Sequence, residues 1–164
     1  MRRKQAVAMQ EPLVDAILLR GAIEYALKDA RTGEVIERGF NKNTVVTVGR
    51  AYILNRIGST DANVIDRIYL GTSTTAPATS QAALVGSFAS KSAGTVSNAG
   101  TTANPPYYTF AASWASNETH ASSSVINEFG LFAANGTMIG RVTTSATINF
   151  ASTNTLAVTY TLSN

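Results

Sequence analysis

A general acid or base works with a second carboxylate or a histidine in the same pocket, and this 164-residue chain offers few of either. From Asn43 onward they are Asp61, Asp66, Glu118, Glu128 and His120. Glu118 and His120 share parity in "SNETHASSS", but a run so rich in small polar residues reads as loop, which makes them solvated side chains before it makes them a catalytic pair. With one His, no Cys and no clustered Asp, a three-ligand metal site cannot be assembled, so no metal and no other cofactor is expected. Nucleophile motifs fail too. "GTSTTAP" is not a G-x-S-x-G elbow, "SFASK" places no Ser three residues before Lys91, and "GTSTT" lacks the Lys of a phosphate loop. Tyr107, Tyr108 and Trp114 could stack on sugars or bases and define a carbohydrate-binding alternative, although aromatic strand residues more often belong to the core. Asn117-Glu118-Thr119 and Asn135-Gly136-Thr137 fit the glycan-acceptor pattern, which means nothing without a secretory signal.

Glu128 decides the matter. It lies in "INEFGLFAANGTMIGRV", Ile126 to Val142, whose Asn135-Gly136 pair accepts the positive φ angles of a type I′ hairpin turn. Parity along the first strand puts Glu128 with Phe132, pointing toward the interior, and an interior carboxylate needs a partner. With Asn135-Gly136 as the loop, Ala134 pairs with Thr137 and Arg141 faces Gly130. Arg141 is then diagonal to Glu128, within reach of an arginine fork. A structural ion pair explains both residues without a substrate, and the chain reads as no enzyme.

The rest of the composition agrees. Charged residues are only 14% of the chain, against roughly 25% in ordinary soluble domains, so solubility rests on hydroxyls and amides. From Thr72 to Asn164, 31 of 93 residues are Ser or Thr, which suits sheet and turn. Residues 1 to 42 carry 8 of the 13 basic and 6 of the 10 acidic side chains, giving a charged front and a neutral body. The start, "MRRKQAVAMQEPLVDAILLRG", is broken by Gln10, Glu11, Pro12 and Asp15, so it reads neither as a signal h-region nor as a membrane span. We therefore expect no membrane partner and no specific nucleic acid. Residues 1–20 read as an extended arm, with Arg2, Arg3, Lys4, Pro12, Leu13, Ile17, Leu18 and Arg20 as its partner-binding side chains. Extended, twenty residues reach about 65 Å, enough to cross a neighbouring subunit.

Residues 21–164 then form one domain. Ile23, Tyr25 and Leu27 alternate before "DARTGE", and Val35 begins the return strand of a hairpin with a Gly-containing loop. Val45, Val48, Tyr52, Ile53 and Ile57 predict a helix near 44–57, with Asn43 or Thr44 as N-cap and Gly58 as C-cap. A strand follows at Ile65 to Leu70, then a Gly-Thr-Ser-Thr-Thr loop and a turn of helix around Ser80 to Leu84. "GSFASKSAGTVSNAGTTANPP" reads as one irregular strand and a loop, and Tyr107 to Ala115 as a strand with Tyr108, Phe110 and Trp114 on one face. Leu156, Val158, Tyr160 and Leu162 alternate with threonines and alanine in a half-buried last strand. The expected fold is mainly β: an antiparallel β-sandwich of about seven or eight strands with one α-helix and the N-terminal arm.

Four stretches carry a resemblance: "GEVIERGFNKNTVVTVGRAYIL", "IDRIYLGTSTTAPATSQAAL", "INEFGLFAANGTMIGRV" and the terminal "LAVTYTL". Over residues 33 to 162 the chain resembles a loose group of tailed-bacteriophage virion proteins. Their pattern is an N-x-V-T-x-x-G helix start, an I-x-x-I-x-L-G-T-G/S-T-T-A-P strand and loop, and an E-x-G-L-F hairpin ending in an Arg. Here these fall on Asn43 through Gly49, on Ile68 to Pro77, and on Glu128-Phe129-Gly130-Leu131-Phe132 with Arg141. The resemblance implies a virion location, a capsid decoration (cement) protein bound outside the major capsid protein, with a tail, baseplate or fibre-attachment part as the alternative. It also implies a homo-oligomer, a trimer at a local threefold being favoured, made in the host cytoplasm. The charged, Pro-containing front departs from the group's pattern and suits an arm clamped onto a shell subunit.

Overall fold

The computed structural model describes residues 18–56, 59, 63–99, 107–116, 118 and 124–164. Alternation sets the first hairpin: in β1 (Arg20–Asp29) Ile23, Tyr25 and Leu27 are buried, and β2 (Val35–Val45) returns antiparallel to it. The loop between them is closed by Asp29 N donating to Glu34 O at 2.9 Å, with Gly33 at a φ of 75°. Asp29 Oδ1 accepts from Arg31 N at 2.9 Å and from Thr32 N at 2.7 Å. The Thr32 and Arg31 amides hold its carboxyl below the ordinary aspartate value.

One helix, α1 (Thr47–Asn55), leads to β3 (Ile65–Gly71). Then come β4 (Ser87–Ser92), β5 (Thr95–Ala99), β6 (Tyr107–Trp114), β7 (Ser124–Ala133), β8 (Met138–Phe150) and β9 (Asn154–Ser163). The nine strands form one curled antiparallel sheet in the order β4-β3-β7-β8-β2-β1-β9-β6-β5.

Between β2 and β8 the ladder holds only the pairs Thr44 with Arg141 and Val45 with Gly140, so the sheet folds there into two facing halves. Tyr25 of one half stacks on Phe129 of the other, ring centroids 6.1 Å apart. The core between them contains Ile23, Leu27, Ile68, Leu70, Trp114 and Tyr160, all buried. The halves meet again at the link from β4 to β5, where Ala93 N donates to Asp66 O on β3 at 2.5 Å and Gly94 N to Ala111 O on β6 at 2.8 Å. A chain that changes sheet at both corners is how two packed halves share one backbone.

Several expectations are corrected. The stretch read as one irregular strand is two, β4 and β5, at opposite ends of the strand order, which makes nine strands in place of seven or eight. The helix starts later than expected: Asn43 and Thr44 remain in β2, and Val46 is the N-cap, without a side-chain cap bond. Pairing with β8 captures the Val-rich start, since Val46 N donates to Ile139 O at 3.1 Å and Val46 is fully buried. The expected C-cap Gly58 lies outside the described residues, and α1 ends at Asn55 with Arg56 as C-cap. Around Ser80 there is a turn, Gln81 N donating to Ala78 O at 3.2 Å, and no helix. The arm is shorter than twenty residues: Arg20 opens β1 opposite Ser163, and Leu19 packs against the core. Residues 1–17 lie outside the described residues.

Candidate functional site

The hairpin of β7 and β8 carries the residues singled out by the sequence. Arg141 faces Gly130 as the register arithmetic requires, and Glu128 faces Thr143. The turn differs from expectation. Gly136 N donates to Ala133 O and Ala133 N to Thr137 O, both at 2.9 Å, so Ala134 and Asn135 are the central residues. Gly136 follows at a φ of 86°. This is a type I turn closed by a G1 bulge in place of the two-residue type I′ loop, and a separate register shift at Leu131/Phe132, where Ile139 is the extra residue between Met138 and Gly140, offsets the longer loop and returns Arg141 to Gly130. Asn135 contributes its Oδ1, which accepts from Thr137 N at 3.1 Å.

Glu128 and Arg141 form the expected ion pair, both side chains fully buried. Arg141 Nε donates to Glu128 Oε2 at 2.7 Å, and Nη2 lies 2.6 Å from the same oxygen without aligning a hydrogen bond to it. Gly86 N donates to Oε1 at 2.6 Å and Val85 N to Oε2 at 3.3 Å. Arg141 Nη1 donates to Gln81 Oε1 at 3.0 Å, an oxygen that also takes Ala78 N at 2.9 Å. Every one of these partners other than the pair itself belongs to the segment 72–86.

That fixes which way Glu128 points. Phe129 and Leu131 enter the core between the two halves, while Glu128, Gly130 and Phe132 lie on the opposite face of the sheet, so the expectation of a core-facing Glu128 is corrected. A cover formed by residues 72–86 buries this outer face. Thr72 N donates to Gly86 O at 3.0 Å, closing the base, and Thr47 N at the start of α1 donates to Thr79 O at 2.8 Å. Beneath the cover, Val46, Leu84, Phe132 and Met138 make a second small core, with Tyr69 4.2 Å from Phe132 between ring centroids. Segment 72–86 is thus an Ω-loop with its ends together, stapled by a buried carboxylate.

Asn127 controls the same hairpin further along. The register jumps between Ile126, opposite Ile148, and Glu128, opposite Thr143, so residues 144–147 bulge out of β8. Asn127 Nδ2 donates to Thr72 O at 3.0 Å, its Oδ1 accepts from Thr147 Oγ1 at 2.8 Å, and its carbonyl accepts from Thr144 Oγ1 at 3.3 Å. The bulge leaves Ile126 and Phe129 both in the core although their parities differ.

Chemically, Glu128 has its oxygens committed to a guanidinium and two backbone amides, and no solvent reaches it. It holds the loop and has no route to a substrate. Of the other acids, Asp66 stands 3.9 Å from Arg67, Glu118 lies in a half-buried loop position, and Asp61 and His120 lie outside the described residues. Among the described residues no group of three or more His, Cys, Asp or Glu side chains could hold a metal ion, and no helix is long and apolar enough to cross a membrane. The three aromatic residues do not share a face. Trp114 is buried with Phe110, Tyr108 lies on the same side but half exposed, and neighbouring Tyr107 points to the other side of the sheet. Of the arm's binding side chains, Arg2, Arg3, Lys4, Pro12, Leu13 and Ile17 lie outside the described residues, while Leu18 and Arg20 are exposed.

Two tyrosines have displaced titrations. Tyr25 Oη donates to Glu37 Oε1 at 2.7 Å, and burial, reinforced by that carboxylate, pushes its hydroxyl up to about 12. Burial likewise raises Tyr160 far above the ordinary tyrosine value, partly offset by the Asn43 Nδ2 contact to its hydroxyl.

The sequence did not point to Gly71, Gly86 and Gln81 as parts of the staple. Gly71 sits opposite Glu128 in the β3–β7 ladder, and Gly86 gives both an amide and clearance. The one local signal was a glycine at each end of "GTSTTAPATSQAALVG". Comparison with known protein families, curated proteins and solved structures finds no match.

Proposed function

We propose that this chain is a non-enzymatic structural component of a tailed-bacteriophage virion, a capsid decoration protein that binds the outside of the major capsid shell. The observation that carries the reading is the commitment of Glu128. The one carboxylate inside the E-x-G-L-F motif is spent within the chain, pinning segment 72–86, so the motif serves architecture. The outward face of the half-sheet from β1 to β5 also supports it. Ala22, Ala26, Ala157, Thr159, Ala111 and Thr109 present short side chains there, with Arg20, Glu24 and Lys28 of β1 forming a charged margin, and such a surface of short side chains with a polar rim can pack against another protein. The arm supplies a second contact, whose ordering cost of about 1–2 kcal/mol per residue is met only where burial and strand pairing are available.

The test is fractionation of particles of the phage that encodes the chain. The protein should travel with heads, and deletion of residues 1–17 should abolish head binding while the domain stays folded. The cut stops there because Leu19 belongs to the core. Co-purification with tails would move the assignment to a tail component. Absence from both would overturn the virion reading.

A further inference from the structure

At one end of the two halves lies an apolar groove of about 610 Å³, walled by Leu19, Ile53, Ile65, Val96, Phe110 and Leu162. Its walls come from Leu19 just before β1 and from α1, β3, β5, β6 and β9, so it is the open end of the core itself. Val96 is 48% exposed there. Leu19, at one margin, is where the described chain begins its run into β1, next to Leu18, which is 56% exposed.

We propose that this groove is the docking site of the chain's own segment Leu13–Ile17. The sequence before β1 reads "LVDAILL", with Leu13, Val14, Ala16 and Ile17 apolar. From β1 the groove crosses β9 and β6 to reach β5. Three strand spacings of about 4.8 Å make roughly 14 Å across the sheet, and Val96, level with Phe110, Tyr160 and Ile23, lies four residues, about 13 Å, further along the strands than Leu19. The diagonal of about 20 Å takes an extended chain about six residues, which counted back from Leu19 brings Leu13 level with Val96. Length, starting point and apolar character agree on the segment directly joined to the groove, and a tether this short gives it a concentration advantage over the same segment of another copy. The inference does not rest on the virion reading. If that reading holds, a shell has to compete for these side chains.

The chain has no cysteine, so an engineered pair reports cleanly. In the full-length protein Leu13→Cys with Val96→Cys should form an intramolecular disulfide at a rate independent of protein concentration. Leu13→Cys with Ser145→Cys, on the exposed bulge of β8, should not. Equal cross-linking of both pairs, no cross-linking, or a disulfide-linked dimer would overturn the proposal, the last by placing the segment on a second copy. Hydrogen exchange on the unaltered protein gives a measurement free of any substitution. Amides of residues 13–17 should exchange more than about tenfold more slowly than those of residues 5–9. Equal rates in the two segments would also overturn it.

Discussion

Gly71 stands opposite Glu128 in the ladder between β3 and β7, and the space a methyl group would take on Gly71 is already filled by the Glu128 carboxylate. The glycine is needed for clearance: it lets a buried charge lie flat on the sheet beneath segment 72–86.

Gly71→Ala should therefore destabilise the domain by about 1–3 kcal/mol, the usual cost of forcing extra volume into a packed site. Urea denaturation measures it. In a Glu128→Ala background most of that penalty should vanish, because the colliding group is gone. Simple additivity of the two substitutions would sink the clearance account.

Removing one member of the buried ion pair should cost more than removing both. Glu128→Gln or Arg141→Met alone leaves an uncompensated polar group and should lower stability by about 3–5 kcal/mol. The double variant Glu128→Leu with Arg141→Met should lose less than either Glu128→Leu or Arg141→Met alone, read from equilibrium unfolding. Hydrogen exchange should also show the Val85 and Gly86 amides opening in Glu128→Leu, since Glu128 is their acceptor.

Gly136→Ala should cost about 1–2 kcal/mol, because Gly136 holds a φ of 86° that an L side chain resists. Nothing lies within 4 Å of a Cβ built at Gly136, so the loss would be conformational and Gly136→Asn should recover part of it.

Alkaline pH should unfold the protein through its tyrosines. Tyr25 titrates near 12 in the folded state against 10.0 when free, and burial pushes Tyr160 the same way. A raised folded value means the folded state holds the proton more tightly. The contribution is complete below pH 10 and is lost as pH climbs from 10 through 12. Tyr25→Phe should flatten the stability profile over that interval while Glu37 stays in place. An unchanged slope would show that Tyr25 is not the titrating group.

How much of this was legible beforehand depends on the range of the interaction. Facing strands of one tight hairpin have few registers open to them, which is why the Glu128–Arg141 pair could be read from the chain, whereas the count that set Gly130 opposite Arg141 assumed a two-residue loop and held because the extra residue Ile139 offsets the longer turn. The alternation of β9 was equally plain: Leu156, Val158, Tyr160 and Leu162 are all buried. The turn around Asn135-Gly136 was placed correctly, but its type was not, because whether Gly136 is a central turn residue or the residue after the turn depends on which amide bonds to Ala133 O.

By itself, then, the sequence determined the strand periods, the two hairpins and the identity of a buried charge pair, since each is set by neighbours a few positions away or directly across a tight turn. Tertiary structure alone decided that β4 and β5 part company at Ala93 and Gly94 to sit at opposite ends of the strand order, that Thr44 and Val45 stay in a strand beside β8, and that Glu128 faces outward under segment 72–86. Those outcomes are free-energy contests between distant segments. Pleat parity says that two side chains share a face, and which face becomes the core depends on what the rest of the chain brings to cover it.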